Sequence, residues 1–116
     1  MMTDPKVISV LGKDIQVLFR KEDADPKLKG CVGYFDSSKG WIIVKVLEPD
    51  ERSLLDLDKY QKEVLRHEII HAFLYESGLD GCSGSAENWA NNEEMVDWFA
   101  IQSPKIFSVF QEQGLV

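Results

Sequence analysis

Basic side chains are nearly missing from the second half of this sequence. From residue 67 to residue 116, Lys105 stands alone against Glu68, Glu76, Asp80, Glu87, Glu93, Glu94, Asp97 and Glu112. The first half is balanced, so the formal net charge of −7 arises entirely beyond it. Nucleic-acid binding relies on clustered Lys and Arg that displace counterions, and this half would repel a phosphate backbone. Long apolar runs are also absent. Nothing approaches the roughly 18 consecutive apolar residues of a bilayer span, and Met1-Met2-Thr3-Asp4-Pro5-Lys6 has no apolar signal region, which predicts a cytoplasmic protein with no membrane partner. Cysteine is limited to Cys31 and Cys82, too few for a disulfide framework and read as free thiols.

What remains is ordinary for a globular protein: 116 residues, 44% apolar and 28% charged, enough for one domain spanning residues 1–116. The first half reads as strands. Residues 7–11 and 15–19 are β-rich on either side of Gly12-Lys13-Asp14, and residues 31–35 and 41–46 flank Asp36-Ser37-Ser38-Lys39-Gly40, giving two hairpins. The polar stretch 21–30, with Pro26, reads as a loop.

The second half reads as helices. Asp58 and Gln61 suggest a capping box for a helix running to about residue 77, stopped by Gly78 with Leu79 closing the end. Tyr60, Val64, Ile70, Phe73 and Leu74 form its expected core-facing stripe. After a small-residue loop at 80–90, Asn91 or Asn92 caps a second helix to about Gln102, and Ser103-Pro104 restarts a third that Gly114 ends. The expected class is α+β, with an antiparallel-rich sheet of about four strands packed on the long helix and one or two C-terminal helices.

The informative segment is His67-Glu68-Ile69-Ile70-His71, which uses both histidines of the chain. Residues four apart sit one helical turn above each other, so both imidazoles can reach a single ion. Glu68 is rotated about 100° from His67, where its carboxylate can reach a water without displacing a ligand. Hydrolytic zinc takes three protein ligands and keeps a fourth position open. With no third histidine, the third ligand must be a carboxylate, a thiolate or a tyrosine. Asp80, Cys82, Glu87, Glu93, Glu94 and Asp97 lie downstream. Glu93 and Asp97 share a helix face one turn apart, so one can ligate while the other orients a ligand histidine. Glu94 has a competing role, since three residues after Asn91 it would close a capping box.

His67-Glu68-x-x-His71 followed by Asn92-Glu93-x-x-x-Asp97 resembles the signature of the gluzincins, the thermolysin-like zinc metallopeptidases. Asp97-Trp98-Phe99-Ala100 is similar to a stretch of the small ImmA/IrrE-type peptidases of phages and mobile elements. The resemblance covers roughly residues 31–103, and the zinc motif is its specific part. It implies a minimal zincin-like fold, Zn2+ held by His67, His71 and Glu93, Glu68 as general base, Asp97 as the carboxylate orienting a histidine, and a phage or prophage origin. There is no helix before the first strands and no third histidine to stabilise an oxyanion, which leaves Tyr75 or Tyr34 for that task.

Two functions follow. The leading one is a zinc-dependent peptidase in which Glu68 activates a water for attack on a protein or peptide substrate, with an edge strand holding the substrate as an added strand. The alternative is a metal-stabilised binding module whose zinc is structural, with Cys82 the obvious fourth ligand.

Overall fold

A computed structural model of the chain describes residues 6–48, 54–78 and 92–116. Strands β1 (Lys6–Val10), β2 (Lys13–Arg20), β3 (Gly33–Asp36) and β4 (Trp41–Lys45) form one sheet, followed by helices α1 (Leu54–Glu76) and α2 (Glu93–Glu112). The class is α+β, as expected, and among the described residues no helix is long and apolar enough to cross a membrane.

The expected four strands are present, but the sheet is mixed. Its order is β1-β2-β4-β3, with both hairpins antiparallel and β2 parallel to β4. Two short 3-10 turns, Glu22–Ala24 and Pro26–Lys29, interrupt the stretch read as loop and lie in the crossover between those parallel strands. β4 is covered on both faces, with Ile42, Ile43 and Val44 all fully buried rather than alternating. β2 keeps the alternation, with Ile15 and Val17 buried around exposed Gln16. β3 pairs with β4 alone and forms one edge of the sheet.

The first hairpin turns more tightly than expected. Val10 pairs with Lys13, leaving Leu11 and Gly12 as a two-residue turn with φ of 51° and 84°. Positive φ at both positions matches the twist of the flanking strands, and glycine bears it without strain whereas leucine does not.

α1 begins one turn before the expected cap. Asp58 lies inside the helix, paired with Lys62 at 3.1 Å, rather than at its start. Gln61 is buried instead, and its Nε2 donates to the carbonyl of Lys45 at the end of β4, 2.8 Å away. The inward face is Leu57, Gln61, Val64, Leu65, Glu68 and Ala72, all buried. Of the expected stripe, Val64 is buried, Tyr60, Ile70 and Leu74 are partly covered, and Phe73 is exposed. Two polar residues on the true inner face displace the apparent apolar stripe toward residues 70, 73 and 74. Gly78 does end the helix, at φ +84°, while Leu79 lies outside the described residues.

The sheet's inner face packs on α1 through Val10, Ile15, Val17, Ile42 and Val44 against Val64, Leu65 and Ala72. Contact is close at Gly33, where a Cβ would lie 2.9 Å from Val64 Cγ1 and 3.0 Å from the Ile43 carbonyl. Only glycine lets β3 approach the helix this way.

α2 is a single helix where two were expected. It starts at the cap Asn92, whose Oδ1 accepts from the Met95 N–H at 2.8 Å, and continues through Pro104. Proline removes the N–H that would bond the carbonyl of Ala100. The Nε of Arg66 on α1 donates to that carbonyl at 2.7 Å, so the helix carries no orphan acceptor there. Buried Val96 and Ala100 anchor α2 to α1 on the same face.

Candidate metal centre

His67 and His71 leave α1 one turn apart and meet Glu93 at the first turn of α2. Glu93 Oε1 lies 2.8 Å from His71 Nε2, and its Oε2 lies 3.3 Å from His67 Nε2. The two Nε2 atoms are 3.1 Å apart. On the other side of the first ring, His67 Nδ1 lies 2.7 Å from Asp97 Oδ1. The anchoring of α2 through Val96 and Ala100 explains why Glu93 and Asp97, three residues before each anchor, project toward α1.

The geometry of this cluster is that of a group able to hold a cation. Facing a carboxylate, Nδ1 of His67 is the donor, so in the neutral ring Nε2 presents a lone pair. That lone pair faces Glu93, itself an acceptor, across 3.3 Å. Donors about 2.0–2.1 Å from a tetrahedral zinc ion would sit about 3.3 Å from one another. The observed 2.8, 3.1 and 3.3 Å separations fit such a set. His67, His71 and Glu93 are the group of described residues that could hold a metal ion, and no fourth side chain joins them among those residues.

Glu68 is buried on the inner face of α1, 6% exposed. Burial pushes its carboxyl up to about 7; His67 opposes the rise, and Glu93 and Asp97 add to it. The side chain lines both cavities that flank the cluster.

The sequence-level candidates separate clearly. His67, Glu68, His71, Glu93 and Asp97 come together. Glu94 is exposed and outside the cluster, and its expected capping role is not the one observed, because Asn92 caps through Met95. Asp80, Cys82, Glu87 and Asn91 lie outside the described residues. Tyr34, Tyr75 and His71 line one cleft. Tyr75 sets its ring edge-on to Phe35 at 5.8 Å. Tyr34 instead donates its hydroxyl to the carboxylate of Asp25. Burial, followed by this carboxylate, pushes the phenol up to about 12, and the Tyr34 hydroxyl holds Asp25 below its ordinary range.

That pairing was not anticipated from sequence. Its local signal is Asp25 before Pro26: the carboxylate caps the second 3-10 turn, accepting from the Lys27 N–H at 3.1 Å. No protein-family model, curated protein or solved structure matches the chain.

Proposed function

We propose that the chain is a zinc-dependent peptidase of the gluzincin type. The observation that supports this most strongly is the convergence of His67, His71 and Glu93 within 2.8–3.3 Å, beside a buried carboxylate and a cleft. A purely structural site has no use for Glu68, one residue from a ligand and nine-tenths buried.

Zinc bound by these residues would supply a Lewis acid for the peptide carbonyl and would lower the pKa of a water. Glu68 takes the proton of the attacking water and returns it to the leaving amine. Asp97 holds His67 in one tautomer and one orientation throughout. Tyr34 has committed its proton to Asp25, so Tyr75, whose hydroxyl has no described partner, is the tyrosine available to donate to a developing oxyanion. β3, an edge strand lining the cleft, offers backbone groups to an extended substrate.

The test combines metal analysis with hydrolysis of a peptide library. Purified protein should carry about one zinc per chain, and Glu68→Gln should retain that zinc while losing hydrolysis by at least about 100-fold, the scale of general-base catalysis. Undiminished hydrolysis by Glu68→Gln would refute the mechanism. A sulfur ligand in X-ray absorption would favour the metal-stabilised binding module.

A further inference from the structure

Two cavities, of ≈ 390 and ≈ 380 Å³, flank the metal cluster and share Gly33, Glu68 and Glu93 as their common wall. Their remaining walls differ in chemistry. The first is walled by Tyr34, Phe35 and Tyr75 together with Ser37 and His71. The second cavity carries the carboxylates of Glu63 and Asp97 beside Tyr60, Cys31, Val32 and Val64. Asp97 is bonded to His67, whereas Glu63 has no partner among the described residues.

The strand edge orders these cavities along a substrate. Residues 31–33 border the second cavity, and Tyr34, Phe35 and Ser37 border the first. Antiparallel pairing is the more stable register for an added strand, and a segment seated that way on β3 runs from Ser37 toward Cys31. Its chain therefore passes the aromatic cavity before it passes the acidic one. At the small end of ligand pockets, each has room for one side chain.

Building on the peptidase reading, we propose that the substrate is a polypeptide with a large aromatic or aliphatic residue immediately before the scissile bond and a lysine or arginine immediately after it. The aromatic walls of Tyr34, Phe35 and Tyr75 take the first side chain, and Glu63 pairs with the second. The shared wall of Gly33, Glu68 and Glu93 places the peptide bond between them, at the metal cluster. Glu63 is a specificity-determining residue here and has no part in the chemistry.

The experiment measures kcat/KM of the zinc-loaded protein on four peptides identical except at the two central residues: Phe-Lys, Lys-Phe, Phe-Glu and Ala-Ala. Phe-Lys should exceed Phe-Glu by at least about tenfold, and Glu63→Gln should narrow that ratio to about threefold or less. Equal hydrolysis of all four overturns the specificity and leaves the peptidase reading intact. A preference for Lys-Phe overturns the antiparallel seating and with it the order proposed. If no peptide is cleaved, the peptidase reading fails, and binding of the same four peptides to zinc-loaded Glu68→Gln decides the cavities. Tightest binding of Phe-Lys, weakened in the double variant with Glu63→Gln, supports their assignment; equal binding overturns it.

Discussion

Asp97 Oδ1 lies 2.7 Å from His67 Nδ1, across the interface between the two helices. The contact fixes which nitrogen of His67 faces Glu93, and so it governs whether the three donors converge. Asp97→Ala should weaken zinc binding by about 10- to 100-fold, the usual cost of losing a carboxylate behind a ligating histidine. Glu94→Ala, one residue from Glu93 and outside the cluster, should leave zinc affinity unchanged. Competition against a fluorescent chelator reads both. Equal losses in the two variants would mean that general acidity, and not the His67 contact, sustains the site.

The register of α2 depends on a repair made from α1. Pro104 frees the carbonyl of Ala100, and Arg66 Nε occupies it at 2.7 Å. Arg66→Ala should cost about 1–3 kcal/mol, the penalty for a buried acceptor left without its donor. Pro104→Ala restores an N–H for the same carbonyl, so Arg66→Ala should cost less in that background. Urea denaturation of the two single variants and the double variant gives the coupling, expected at about 0.5–3 kcal/mol. Strict additivity would show that Arg66 does not substitute for the missing backbone donor.

The candidate grouping of His67, His71, Glu93 and Asp97 was legible in sequence because the spacing within each helix is local. His67 and His71 need only one helical turn, and Glu93 and Asp97 only another. The orientation of α1 was not legible by hydrophobicity, since two of its inward residues, Gln61 and Glu68, are polar. Gln61 is drawn inward by the Lys45 carbonyl, and that acceptor belongs to a strand 16 residues away. The continuity of α2 was hidden for a related reason: proline ends most helices, and the donor that rescues this one is 34 residues distant. Strand positions were read from β-rich runs flanking turn residues, which carry no information about spatial order. The uninterrupted apolar run Ile42-Ile43-Val44 was the available sign that β4 is buried on both faces.

The turn between β1 and β2 is a place where stability can be gained. Leu11 holds a φ of 51° and is 62% exposed, so its side chain contributes little packing in return for the strain. Left-handed backbone costs an ordinary L-residue about 1–2 kcal/mol, and asparagine adopts it more readily. Leu11→Asn creates the Asn-Gly pair preferred in two-residue hairpins. It should raise stability by about 1 kcal/mol, with zinc affinity unchanged, since the turn is remote from the cluster. A lowered thermal midpoint would mean that Leu11 is held by contacts that outweigh the backbone strain.

The Asp25–Tyr34 pair predicts a pH dependence with two limits. Asp25 is held below its ordinary value of 3.8, chiefly by the Tyr34 hydroxyl, so the folded state favours the carboxylate. Its contribution is present above about that value and is lost as pH falls through the depressed one. Tyr34 is pushed up from 10.0 to about 12, chiefly by burial and then by Asp25, so the folded state favours the phenol. This contribution is complete below 10.0 and is lost as pH rises through about 12. Tyr34→Phe removes both. The stability gap between wild type and Tyr34→Phe should therefore be flat from about pH 4 to 10, narrow on the acid side, and narrow or reverse on the alkaline side. Chelator-treated protein isolates this pair from the pH dependence of metal binding. Urea midpoints of the two proteins at pH 3, 7 and 11 test the sign at each end. A gap that widens in acid would show that the hydroxyl stabilises protonated Asp25 rather than the carboxylate.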